Sequence, residues 1–319
     1  MTGSRLLHMG GAVVDFVYRI SHLPAPGEES LASAFETLPG GGFNMMAAAA
    51  GSGMTVAYGG QHGTGPYGDL IRAALSEEGI TILQTVNSSL DSGTCVVLVT
   101  ADAERTFVSW PGAEGIMVPG DLASIVPRPD DWVFISGYTL SYADSGEALA
   151  AWVTAIPDGI PVVFDPSPLV GSISKDNLAS LLQRANWLSC NRAEAGTIAG
   201  PGGTEAQADA LMATHCPKAQ GVIIRAGADG CFLKLPGRAL EPVPAFAVDA
   251  VDTNGAGDTH IGAFLAELSR GAEPHEAVVY ANAAAAISAT RAGGSSAPDR
   301  SETKAFLRDN AHSRNRRAG

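Results

Sequence analysis

The sequence predicts a doubly wound α/β fold, and three observations carry that expectation. Short β-branched runs recur at Thr55 to Tyr58, Cys95 to Val99, Trp132 to Ser136, Pro161 to Phe164, Trp187 to Cys190 and Gly221 to Arg225. From residue 132 onward they alternate with helical patterns at Asp144 to Ala155, Asp176 to Ala185 and Glu205 to His215, and such alternation demands parallel strands joined by crossover helices. The runs are almost continuously apolar, as strands covered on both faces must be.

The first hundred residues break that rhythm. Asp15 to Ile20, the turn-forming Pro24-Ala25-Pro26-Gly27, and Ser30 to Leu38 read as a strand pair leaving the main sheet, and Asp91 to Trp110 reads as a second pair. A small β-sheet lid built from segments about 15–38 and 91–110 fits this better than a separate N-terminal domain. One face of that lid should be apolar, with Val17, Ile20, Val97, Val99, Phe107 and Trp110 as candidates. Residues 312 to 319 carry three arginines and no apolar anchor, so a frayed tail is expected there.

With 319 residues, 45% hydrophobic and 17% charged, the chain can bury a large core, and bulk disorder is excluded. The net charge of −13 argues against coating nucleic acid or lying on an anionic membrane. Cys95, Cys190, Cys216 and Cys231 stand apart with no C-x-x-C pair and should be reduced and buried. No leader or apolar span is visible, so a cytoplasmic location is expected. Glycine is abundant, at 38 residues without periodicity, which points to backbone-lined sites.

The most informative stretch is Asp252-Thr-Asn-Gly-Ala-Gly-Asp258, followed by an apolar run containing Gly262 and Ala263. Gly255 to Asp258 therefore open a helix, where unpaired N–H groups and the positive end of the helix dipole make an anion site. A carboxylate there would repel a resting phosphate. It makes sense if Asp258 removes a proton from an attacking hydroxyl while the amides hold the phosphoryl group in transfer. Read alone, Asp258 could equally be a plain N-terminal helix carboxylate.

These residues resemble the C-terminal signature of the ribokinase-like, PfkB-type carbohydrate kinases: Asp252-Thr253-x-Gly255-Ala256-Gly257-Asp258, then Gly262-Ala263-Phe264-Leu265. The second family motif, a glycine cluster ending in Asn, is matched by Gly40-Gly41-Gly42-Phe43-Asn44, with Met46 where a small residue is usual. The order of parts also agrees, from Asp15 through Asn191-Arg-Ala-Glu194 and Gly227-Ala-Asp-Gly230 to Asn282, so the resemblance spans residues 5 to about 300. It implies a single domain over 1–319: a three-layer α/β/α sandwich with a mostly parallel central sheet and a lid.

The resemblance further implies Asp258 as catalytic base, with Gly255, Ala256 and Gly257 forming the anion hole. Acceptor hydroxyls would be bound by Asp15, Gly41 or Gly42, and Asn44. Asn191 and Glu194 would organise Mg²⁺ and phosphate mostly through water, although N-x-x-E is also a helix capping pattern. Arg225, where the family usually has Thr, and Gly227 and Gly230 would lie by the nucleotide phosphates, with adenine near Asn282. Asp252 and Asn254, with carbonyls of the 291–297 loop, would hold a monovalent cation such as K⁺, as in some relatives. Several relatives pair through the lid, so a homodimer is expected.

ATP is then the co-substrate, and the acceptor is where the sequence is least informative. A phosphorylated acceptor needs clustered cations, yet residues 1–174 hold five arginines and no lysine. A neutral sugar is therefore expected, a nucleoside next; Arg105, in the lid, is the one cation placed to meet the acceptor. Two other classes compete. Gly63-Thr-Gly65-Pro-Tyr-Gly68 spells a dinucleotide fingerprint and would suggest a NAD-dependent oxidoreductase, but no clean strand precedes it and Pro66 suits a helix start. A non-catalytic sugar-binding protein would have no need of Asp258. His62 and His260 read as packing or surface histidines.

Overall fold

The computed structural model describes residues 3–317 apart from 103 and 295, and only the backbone of 312–317. Thirteen strands follow in chain order: β1 Arg5–His8, β2 Ala12–Arg19, β3 Ala34–Gly41, β4 Thr55–Tyr58, β5 Thr81–Ile82, β6 Ser92–Val99, β7 Arg105–Gly112, β8 Asp131–Ser136, β9 Val162–Asp165, β10 Trp187–Asn191, β11 Gly221–Arg225, β12 Cys231–Lys234 and β13 Glu241–Val243. Nine of them form one sheet in the order β13-β12-β11-β10-β9-β8-β1-β4-β5. All its pairings are parallel except β11 with β12 and β12 with β13.

Alternation along these strands makes the layers. Leu6, Phe134, Val163, Trp187 and Ile223 enter one core with the helices Gly42–Gly51, Ala256–Leu268 and Pro274–Ala289, while Leu7, Val133, Phe164, Leu188 and Val222 enter the other, under the helices Gly146–Thr154 and Lys175–Arg184. Successive side chains point to opposite faces, so a strand that feeds two cores must be apolar throughout. This is the expected α/β/α sandwich.

The lid is a separate four-stranded sheet, β3-β2-β6-β7, in which β2 pairs antiparallel with β3 and parallel with β6. Its apolar residues do not share one face as expected. Val17, Val97 and Phe107 are in register on the inner face, but Trp110 pairs with Thr94 and falls on the outer face. An odd step along a strand reverses the side-chain direction, and Phe107 to Trp110 is such a step. The helix Arg300–Arg317 runs through residues 312–317 of the expected frayed tail, and 318–319 lie outside the described residues. The four cysteines are free and buried. No helix among the described residues is long and apolar enough to cross a membrane.

The N-terminal ends of β1 and β8 are tied by a buried ion pair, with Arg5 Nε and Nη2 donating to the two Asp131 carboxylate oxygens at 2.8 and 2.7 Å. Asp131 is fully buried and also accepts the Arg128 N–H at 2.8 Å. Removing one partner of such a pair leaves an uncompensated buried charge. Asp131→Asn should therefore lower unfolding stability by about 3 kcal/mol or more in urea titrations, and a change under about 1 kcal/mol would show that the pair is not needed to seat β1.

Candidate active site

The C-terminal ends of the parallel strands meet one helix N-terminus. β9 ends in Asp165, β10 in Asn191 and β11 in Arg225, and the helix Ala256–Leu268 starts above them. Such a carboxyl-end crevice is where open α/β sheets bind ligands. Gly255 caps the helix in the left-handed region at φ 71°, and a Cβ there would lie 2.1 Å from the Gly294 carbonyl oxygen, so only glycine fits. The Thr259 N–H donates to the Gly255 carbonyl at 2.8 Å and closes the first turn. First-turn N–H groups have no intrahelical acceptor and stay available to an anion. Ala256 is the exception in the expected trio, because its N–H already reaches the Thr253 carbonyl at 3.3 Å.

Asp258 lies in that first turn, partly buried. Burial, reinforced by the nearby charge of Asp165, pushes its carboxyl up to about 7; Arg225 and a hydrogen bond from Asn44 oppose the rise. Asn44 comes from the facing helix Gly42–Gly51. Gly262 permits the approach, since a Cβ there would stand 2.4 Å from the Met45 carbonyl oxygen. Arg225 runs beneath the anion hole: a Cβ on Gly257 would be 3.6 Å from its Nε. Its Nη1 donates to Ser189 Oγ at 2.6 Å and pairs with Asp165 at 3.0 Å, and its Nη2 is 3.7 Å from Glu194.

On the lid side of the cleft, the glycine cluster makes room for other groups. Cβ atoms at 40 and 42 would collide with the Asp15 carboxylate, at 2.2 Å, and with the His8 ring, at 2.4 Å. Gly41 has φ 59° and caps the Asn44 helix. Asp15 is buried and its carboxyl is pushed to about 7 by burial. Sheet register places Leu38, Asp15, Cys95 and Ser109 in one row across the lid, and Ser109 Oγ donates to Cys95 Sγ at 3.2 Å. Burial, and then the charges of Asp258 and Asp165, push the Tyr138 phenol well above its ordinary value.

A cavity of about 660 Å³ adjoins the helix start, lined by Asn191, Arg225, Gly227, Gly230, Gly257, His260 and Asn282. The pattern describing pfkB family carbohydrate kinases matches residues 5–300 of this chain. The protein belongs to that family. It is 31% identical to the uncharacterized sugar kinase YegV of Escherichia coli over 94% of this chain and 93% of that protein. It is also 31% identical to the ribokinase of Haemophilus influenzae, over 94% and 97%. The crystal structure of Thermotoga maritima ribokinase superposes with a TM-score of 0.79 at 27% identity, covering 96% of this chain and 99% of that one. The chain is thus an ATP-dependent carbohydrate kinase of the ribokinase-like fold.

Within the kinase, several expected binding residues have structural partners. Glu194 and Asn191 form a capping box: the Glu194 oxygens accept the Asn191 backbone and side-chain N–H groups, both at 2.7 Å, and Asn191 Oδ1 accepts the Glu194 N–H at 2.9 Å. Glu194 does not fit direct metal ligation. With Asp165 close by, the donor set suits a Mg²⁺ that keeps its waters. Asn282 lines the cavity, and its amide donates to the Val243 and Pro244 carbonyls at 3.1 and 3.2 Å, which holds that wall in place. Arg105, expected at the acceptor, instead ion-pairs with Asp252 and donates to Thr253 Oγ1 at 3.2 Å. Asp252 also accepts the Asn254 and Gly293 N–H groups. Its carboxylate is filled, and Asn254 turns its amide toward Gly294; these two side chains do not fit the expected monovalent cation, and residue 295 of the 291–297 loop lies outside the described residues.

The apparent dinucleotide fingerprint is a helix start. Helix Pro66–Glu77 is capped by Asp91, which accepts the Tyr67 and Gly68 N–H groups at 3.2 and 2.7 Å where a pyrophosphate would have to sit. His62 bonds the Gln84 carbonyl and Arg72, a structural role. The residues that sequence reasoning missed are Asp165, Tyr138, Cys95, Ser109 and His8. Asp165 precedes Pro166 and Ser167, where Ser167 takes φ 61° and donates its N–H to Asp165 Oδ1 at 2.8 Å.

Because Arg225 holds the Asp258 carboxyl down against burial and Asp165, that carboxyl should be ionised above about 7 and protonated as pH falls through that value. In Arg225→Met the carboxyl should rise further, moving the acid limb of kcat/KM to higher pH by about one unit. A limb that stays in place would separate Arg225 from the base.

Proposed function

We propose that this kinase transfers the γ-phosphoryl group of ATP to a primary hydroxyl of a small neutral sugar. The observation that carries the reading is Asp258, whose carboxyl is poised at about 7 in the first turn of an N–H-lined helix start, facing Asn44 and the Asp15 row. Asp15 and Asn44 bind and orient the acceptor diol, and glycines 41 and 42 let the ring approach the backbone. Asp258 takes the proton of the attacking hydroxyl. The free amides of the helix start, with Arg225 beneath them, hold the phosphoryl oxygens as charge develops. A Mg²⁺ carried with the nucleotide would be held through water by Asp165 and Glu194, and would neutralise charge on the phosphates.

A neutral acceptor is favoured by the fate of the N-terminal arginines. Arg5 is consumed by Asp131, Arg72 by Asp69 and Arg105 by Asp252. Nucleosides are the second class, since aminoimidazole riboside kinase of Salmonella enterica shares the fold with a TM-score of 0.78 at 25% identity. A screen of pentoses, ketohexoses, keto-sugar acids, nucleosides and sugar phosphates for ADP release should give its highest kcat/KM with a neutral sugar; strict preference for a phosphosugar would overturn the charge argument. Asp258→Asn should lower turnover by ~10² or more, and near wild-type turnover would remove Asp258 as base. The same variant should melt higher than wild type at pH 8. Burial raises the folded carboxyl above its unfolded value, so ionised Asp258 destabilises the fold, and that difference vanishes below about pH 4.

The lid also supports a homodimer in a cytoplasmic enzyme. Phe35, Val108 and Trp110 are 53%, 63% and 49% exposed on its outer face, with Phe16 and Tyr18 beside them. A second copy of the same sheet offers a self-complementary cover. Light scattering should give a dimer for the full chain and a monomer for Val108→Glu; a monomeric wild type at high concentration would exclude pairing through the lid.

A further inference from the structure

Arg105 starts on the lid and ends on the catalytic loop. Its side chain is 13% exposed and that of Asp252 is 7% exposed, and the two are in direct contact. The same carboxylate accepts the N–H groups of Asn254 at 2.8 Å and Gly293 at 3.3 Å. One aspartate thus joins the lid, the loop that enters the helix Ala256–Leu268, and the loop beyond residue 289. The Val251 and Asp252 N–H groups both donate to the Ala289 carbonyl, at 2.8 and 3.0 Å, and fix the loop from its other side. Three residues beyond Asp252, Gly255 caps the helix whose first amides face the cavity.

A carboxylate this buried needs a counter-charge. Among relatives a monovalent cation was expected to supply it, but here the guanidinium already does, and a second cation at contact distance would be repelled by it. We propose that Arg105 replaces the monovalent cation in this kinase. As a positioning residue it is the fixed counter-charge that holds the Asp252–Gly255 loop in its nucleotide-binding shape, so nucleotide binding does not call for K⁺. The inference rests on the cavity at Gly257 and Arg225 being the nucleotide site, and it adds the ionic requirement of that site.

Binding of a fluorescent ADP analogue reads the loop without any acceptor, so an error in the acceptor assignment leaves this test unchanged. Wild-type protein should bind with the same Kd, within about twofold, in tetramethylammonium chloride and in KCl at one ionic strength of about 0.1 M. Arg105→Gln should bind about tenfold more weakly without K⁺ and regain affinity when K⁺ enters beside Asp252. Arg105→Lys, which keeps the charge, should stay within about threefold of wild type in the K⁺-free buffer. Melting temperatures in both buffers separate loss of fold from loss of the loop, and K⁺ should raise that of Arg105→Gln alone. A wild-type affinity that climbs fivefold or more with K⁺ would overturn the proposal. So would an Arg105→Gln variant equal to wild type without K⁺, or an Arg105→Lys variant as weak as Arg105→Gln. The wild-type comparison needs no variant to fold.

Discussion

Everything in the cleft is arranged around a charge imbalance. Asp165, Glu194 and Asp258 converge on one guanidinium, Arg225, which contacts the first two and acts on the third through space. With all four ionised, two negative charges remain uncompensated beside the helix start proposed to hold the phosphates. The carboxyls respond: those of Glu194 and Asp258 are both pushed to about 7, chiefly by burial and then by Asp165. Near neutral pH such groups exchange protons easily, which is the property a general base needs. A nucleotide brings more negative charge, so it must bring cations with it, and this favours a metal that travels with the phosphates over one fixed by carboxylates.

Close backbone approach keeps that charge cluster compact. Glycines at 40, 42, 255 and 262 stand where a Cβ would strike Asp15, His8, the Gly294 carbonyl and the Met45 carbonyl respectively. The helix carrying Asn44 and the helix carrying Asp258 therefore touch at Gly262, and each brings its N-terminus to the same side. The apolar side chains of the two cores hold the strand ends fixed beneath them, since interiors packed to crystal-like density do not yield continuously. Position is supplied by packing, and reactivity by the charges that packing leaves underpaired.

How much of this was legible depended on whether the signal was local. Most of the parallel sheet could be read because strands such as β8, β9 and β11 are nearly continuously apolar, whereas β1 begins and ends on polar residues and gives a weaker signal; the helix start at Gly255 could be read because its glycines and Asp258 are contiguous. The resemblance placed Asp15 and Asn44 although nearly thirty residues separate them. What was missed is made by folding alone. Cys95 and Ser109 join Asp15 only through strand register, and Tyr138 joins Asp258 only across the cleft. Trp110 falls on the face opposite Phe107 because the two are three residues apart on β7, and period-2 alternation reverses the side chain at an odd step. Glu194 and Asn282 also have protein partners, a capping box and two backbone carbonyls, that spacing alone leaves open.

The same strand that completes the acceptor row also reaches the catalytic loop. Arg105 and Ser109 both lie on β7, an even step apart, so their side chains leave the same face. At about 3.3 Å per residue they are roughly 13 Å apart along a single strand. A β-strand paired along its length with β6 cannot stretch to let one end move alone. Motion of the lid over an acceptor must then be transmitted to Asp252 through Arg105, or the Arg105–Asp252 contact must break. Breaking it would leave a buried carboxylate without its counter-charge, so transmission is the less costly course. The acceptor and nucleotide halves of the cleft are in this way linked by one arginine, and the order in which the two ligands bind should reflect how far the lid can move before that contact strains.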